Sequence, residues 1–216
     1  MIIEARRAGA AAFMAFGICA RFPVPAHAAA GEFLSMPEEN KKSALNESMR
    51  KLWAEHVIWT RAYVVAAIGG GSDAPDVAVR LLKNQADIGA AFVPYYGKEA
   101  GAKLAELLKQ HILIAADVVA GVKAGDDAKF KEADARWHEN ANDIAVFLSG
   151  INLAWSKKEL VGMFNDHLAL TAREAVSRLN KKWSADISAF DEILGQMMMM
   201  ADDLANGIIK QFPEKF

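Results

Sequence analysis

Leu52-Trp53-Ala54-Glu55-His56-Val57-Ile58-Trp59-Thr60 decides the reading of this chain, because its pattern comes back twice. The second copy is Leu107-Leu108-Lys109-Gln110-His111-Ile112-Leu113-Ile114-Ala115. The third is Met163-Phe164-Asn165-Asp166-His167-Leu168-Ala169-Leu170-Thr171. An apolar pair precedes a more polar pair, then His, an apolar residue, a free position, an apolar residue, and Thr or Ala. The histidines are 55 and 56 residues apart. Apolar positions alone coincide in any amphipathic helix, but a histidine in the same register three times is the mark of an internal repeat.

Around each copy the apolar residues recur at i, i+3, i+4 and i+7, the period of a helix with one buried face. Leu45, Met49, Leu52, Trp53, His56, Trp59, Thr60 and Tyr63 share such a face. Breaks at Gly69-Gly70-Gly71, Pro94 to Gly97, Gly125-Asp126-Asp127, Asn152 and Trp183-Ser184 predict six helices, over 41–68, 74–93, 98–124, 127–150, 157–182 and 185–211. No β-branched alternation signals a strand. The expected fold is therefore all-α: an antiparallel six-helix bundle of three repeated hairpins, over 41–95, 97–151 and 156–212.

The second helix of each hairpin carries an echo as well. Asn84-Gln85-Ala86-Asp87-Ile88-Gly89 resembles Asn140-Ala141-Asn142-Asp143-Ile144-Ala145, and Met200-Ala201-Asp202-Asp203-Leu204-Ala205 is a looser third copy. Residues equally far from a hairpin turn lie side by side. Counting from the turns sets Asp87 beside His56 and Asp143 beside His111, with Asn84 and Asn140 close by. In the third hairpin Met199 takes the equivalent place.

Residues 1–28 read as a secretory signal peptide. Arg6 and Arg7 precede the apolar stretch Ala8 to Ala20, and Ala26-His27-Ala28 is an A-x-A cleavage site. Residues 29–40 read as a flexible leader and 41–216 as one helical-bundle domain. The expected location is the periplasm or the outside of the cell. Cleavage would take the 25 basic and 27 acidic residues to 22 and 26, a net charge of −4. It would also remove Cys19, the only cysteine, so neither a disulfide nor a thiolate could contribute. The whole 216-residue chain is 53% apolar and 24% charged with a net charge of −2. That composition excludes a disordered chain and argues against a nucleic-acid binder. No further apolar run is long enough to cross a membrane.

Each repeated histidine falls inside an apolar stripe, where a buried imidazole needs partners for both nitrogens. Three readings follow. In the first, His56, His111 and His167 lie at one depth on parallel helices and bind a transition metal such as Zn, Cu or Fe. Glu174 is then a further ligand, Asp87, Asp143, Asn84 and Asn140 orient the rings, and Met199 is a possible soft ligand. In the second, the histidines are structural, paired with Asp or Asn in a metal-free interaction or scaffold bundle. In the third, they form a polar patch in a carrier for a small apolar ligand. Glu174 has an alternative as an ion pair with Arg178. No H-E-x-x-H, E-x-x-H, nucleophile elbow, P-loop or C-x-x-C-H is present, so no catalytic residue is assigned and covalent haem is excluded.

The segment Leu52 to Arg61, the stretch Leu82 to Gly89 and the ending Gly207-Ile208-Ile209-Lys210-Gln211-Phe212-Pro213 resemble a family of small helical proteins of bacteria and archaea. The likeness spans about 45–216. It implies an all-helical domain and carries over no site residue.

Overall fold

Helix boundaries follow from a few residues with special backbone chemistry. The computed structural model describes residues 38–216, so the expected signal peptide and most of the leader lie outside the described residues. Five helices are present among the described residues: α1 (Glu38–Gly69), α2 (Ala74–Ala124), α3 (Asp127–Ile151), α4 (Lys157–Leu179) and α5 (Trp183–Gln211). A short 3-10 turn, Pro213–Lys215, closes the chain. No strand occurs among the described residues. No helix among the described residues is long and apolar enough to cross a membrane.

Gly70, at φ 73°, ends the first helix, and α2 then starts with proline in its first turn. Gly125, at φ 63°, ends α2 in the left-handed region and returns its N–H to the carbonyls of Gly121 and Val122. Asp126 and Ser156 cap α3 and α4 by accepting from the N–H groups of Lys129 and Glu159. Helices α4 and α5 meet through Asn180, Lys181 and Lys182, so α4 stops short of the expected residue 182 and α5 starts before 185.

The expected six helices in three equal hairpins are corrected to five helices. Residues 74–93 and 98–124 belong to one helical segment, interrupted only at Gly97, where φ is 85° and ψ 170°. A change that large at one residue reverses the chain without a loop. The two arms of α2 come so close that a Cβ on Gly89 would lie 2.5 Å from the Gly101 carbonyl oxygen and 2.7 Å from Ala105 Cβ. Glycine is needed at 97 for its dihedrals and at 89 and 101 for this approach.

One hydrophobic core runs through the bundle. Met49, Trp53, Ile88, Phe92, Leu104, Trp137, Ile144, Leu148, Leu168, Met200 and Leu204 are among its fully or almost fully buried residues. A smaller cluster of Val64, Val119, Val122 and Ala175 sits beyond it. Trp53, Trp137 and Trp155 are core residues, whereas Trp183 is half exposed.

Gly89→Ala should destabilise the protein by about 1–3 kcal/mol through overpacking between the arms of α2. Gly195→Ala, in the interior of α5 with nothing within 4 Å of the added methyl, should be neutral or stabilise by up to about 1 kcal/mol. Urea unfolding of both variants beside the parent checks the contrast.

Candidate functional site: a buried histidine layer

The bundle brings the three repeated histidines together. His56 on α1, His111 on the second arm of α2 and His167 on α4 are 2–3% exposed. The His167 ring centroid lies 5.7 Å from that of His56 and 6.4 Å from that of His111. The rings pack against one another at 45° and 27°. Trp53 meets the edge of His56, and Trp137 lies 5.3 Å from His111.

Each ring is met by a carboxamide, and each carboxamide lies 29 residues further along the chain. His111 is the clearest case. Its Nδ1 lies 2.8 Å from Asn140 Oδ1, while Asn140 Nδ2 donates to the Leu107 carbonyl. The amide nitrogen is committed to that carbonyl, so the oxygen must face the ring. His111 therefore carries its hydrogen on Nδ1 and donates it to Asn140.

The other two levels repeat the plan less tightly. Gln196 Nε2 donates to the Met163 carbonyl at 2.7 Å, and its side chain lies by the His167 ring. Gln85 Nε2 donates to the Leu81 carbonyl and to Asn84 Oδ1, and its side chain lies by the His56 ring. Asn84 Nδ2 then donates to the Leu52 carbonyl. In both of these couples the glutamine side chain favours ring protonation, yet neither Nδ1 nor the amide Oε1 makes a hydrogen bond. Leu52, Leu107 and Met163 each stand four residues before their histidine. The same carbonyl therefore receives an amide at all three levels.

Burial holds the rings neutral. Desolvation, with the neighbouring rings adding to it, takes His56 down to about 3 and His167 well below the ordinary value. Desolvation also lowers His111, to about 4, against the favourable bond to Asn140.

The expected metal centre is corrected. Among the described residues, no group of three or more His, Cys, Asp or Glu is placed to hold a metal ion. The rings lie against each other, and His111 turns its Nδ1 to an amide. Glu174 is two turns along α4 and bonds to Arg61. Asp87 is at the surface, bonded to Lys83 through both oxygens, and Asp143 is exposed. Neither aspartate orients a ring. Met199 is 62% exposed, while its neighbours Met197 and Met200 are buried. Asn140 bonds to the His111 ring, Asn84 bonds instead to the Leu52 carbonyl and Gln85, and the sequence does not point to Gln85 and Gln196. Their signal is the constant separation from the histidines, which a count from the turns does not reveal.

Next to the layer lies a small void of about 20 Å³, lined by Thr60, Leu81, Ile112, Trp137 and Thr171 among others. That is room for a single water, against the several hundred Å³ of a typical small-molecule site. The expected carrier of an apolar ligand finds no seat there.

Further along α4 is a second polar group. Arg61 Nη1 meets both Glu174 and Asp186, and Arg178 also bonds to Asp186. Both carboxylates are 1% exposed. The alternative pairing of Glu174 with Arg178 is thus replaced by one with Arg61, and Arg178 turns to Asp186. Desolvation raises the Glu174 carboxyl to about 7 despite Arg61. Two guanidinium groups outweigh desolvation at Asp186 and hold it below the usual carboxylate range. His138, off the repeat register, is an exposed residue over Asp134.

No family model matches the chain, and no curated protein or solved structure is significantly similar to it. Function is therefore read from the site's own geometry.

The buried groups make stability depend on pH. Three neutral histidines mean that the folded protein binds fewer protons than the unfolded chain. Their contribution is complete above about pH 6.5 and is lost as the pH falls towards 4. Glu174 has the opposite sign: its contribution is present below its ordinary range and is lost as the pH rises through about 7. Three groups against one leave about two protons taken up on unfolding. Stability should therefore rise by about 2–3 kcal/mol per pH unit between pH 5 and 6. Urea unfolding across that range measures the slope. Separately, Asn140→Leu should cost about 1–3 kcal/mol, because it strands His111 Nδ1 and the Leu107 carbonyl together. Asn140→Gln or a surface Asn142→Leu serves as the comparison in the same assay.

Proposed function

We propose that this protein is a metal-free interaction or scaffold bundle whose histidines are internal fastenings. The observation that carries this reading is the donation from His111 Nδ1 to an Asn140 carboxamide that is anchored at its other end to the Leu107 carbonyl. An imidazole engaged in this way serves packing, and the rings of its two neighbours fill the remaining space. The recurrence of amide, carbonyl and histidine at three levels supports the view that 41–216 descends from three related hairpins. It does so even though the second hairpin shares a helix with the first.

With this reading go the signal peptide over 1–28, the leader over 29–40 and a periplasmic or secreted location. A chain without cysteine after cleavage is compatible with that compartment, its stability resting on packing alone. The outer surface is where a partner would bind. Trp183 and Ile187, one turn apart on α5, are 50% and 53% exposed. The partner is proposed to be another protein.

Elemental analysis and thermal melting of the purified chain test the metal-free reading. Metal content should be far below one equivalent, and Tm should be unchanged by EDTA or by Zn, Cu or Fe salts. About one equivalent of a metal, whose removal lowers Tm, overturns it.

A further inference from the structure

Helix α4 occupies a special position in the histidine layer. His167 is the ring that touches both others, while His56 and His111 each reach it from a different element. Moving α4 outwards breaks both ring contacts at once. All three imidazoles could then be charged with water between them. Moving α1 or the second arm of α2 would break a single contact and leave the other.

The groups facing this layer give a charged ring no relief in place. From α1 come His56 and Trp53, from the first arm of α2 Gln85, and from its second arm His111. From α3 come Asn140 and Trp137, and from α5 Gln196. None of the three rings forms an ion pair among the described residues. The nearby carboxylates are engaged elsewhere: Glu55 with Arg80 and Asp87 with Lys83. A second proton on any ring would be a buried charge beside another imidazole, and burial without a counter-charge is strongly unfavourable.

The other polar ties of α4 do not fail with acid. Arg173 holds Glu192 and Arg178 holds Asp186, in both cases linking α4 to α5, and Arg61 keeps Asp186. Glu174 works against acid opening, since the folded protein favours its protonated form. The outcome is set by three imidazoles against one carboxyl.

We infer that α4 is an acid-releasable element: because His167 packs between His56 and His111, a fall in pH opens the inner face of α4 before the rest of the bundle. The inference rests on the proposed reading of these histidines as metal-free fastenings. Opening exposes the face bearing Phe164, Leu168 and Thr171 while α5 stays clasped to α1 through Asp186 and Arg61.

Hydrogen exchange of the full 216-residue chain, read by mass spectrometry from pH 7 to pH 5 and corrected for intrinsic rates, tests it. Between pH 6 and pH 5 the opening constant of 157–179 should grow about 100-fold, one factor of ten for each of two net protons. This should happen while α3 and α5 keep their protection. Glu174→Gln should steepen it to about 300-fold over the same interval. Exchange of α4 in step with α3 and α5 at every pH overturns the inference, as does an α4 opening constant independent of pH. The parent chain alone decides this if the variant does not fold. EDTA at pH 7 separates the two readings. If the chelator alone opens α4, the metal-free reading fails as well; if it has no effect and opening is not selective, only this inference falls.

Discussion

A carboxamide held at both ends is the constraint on which this bundle depends. Asn140 gives its nitrogen to a helix carbonyl and its oxygen to an imidazole, so two helices are locked in depth as well as in distance. Apolar packing has no such register, because one leucine can slide past another at little cost. A hydrogen bond between a buried side chain and a fixed carbonyl admits one setting. With the amide–carbonyl half of the device repeated at three levels, the helices meet at heights that bring all three rings into contact.

The polar interior divides into two kinds of chemistry. Around the histidines the groups are neutral, and His111 is bonded to an amide while His56 and His167 keep Nδ1 short of hydrogen-bond geometry. Two turns away, Arg61, Arg178 and Asp186 are charged and partly satisfy one another, with the Glu174 carboxyl, raised to about 7, bonded to Arg61. The first kind is inexpensive to bury and gains specificity from geometry. The second costs several kcal/mol per ion in desolvation before its Coulomb attraction offsets it. Arg61 and Arg178 keep 19% and 26% of their side-chain surface exposed, which moderates that cost while the carboxylates stay covered.

Much of the architecture is legible in the sequence. The helical period of Leu45 to Tyr63, the glycine at 125 and the caps at Asp126 and Ser156 all give local signals, and local signals survive into the fold. The reversal at Gly97 is misread as a break between helices because Pro94 and Gly97 look the same whether a loop or one turned residue follows. The layer is legible as three histidines in one register. Its chemistry is not, because the partner of a buried ring depends on rotation about a neighbouring helix. Asp87 is two residues past Gln85, which turns it by about 200° to the surface at 100° per residue. Gln196 is hidden in the same way by the methionines beside it. Asp186 gives no periodic signal; the positions of Arg61 and Arg178 bury it.

The single-residue reversal in α2 also bears on how the chain finds its shape. Gly89 and Gly101 meet across only twelve residues, so little chain entropy is lost in bringing the two arms together. The arms are helical in their own right, and the contact between them is short-range. Such a hairpin is the region of the molecule best able to form first. It would then present Gln85, Asn84 and His111 as a ready template on which α1, α3 and α4 take their heights.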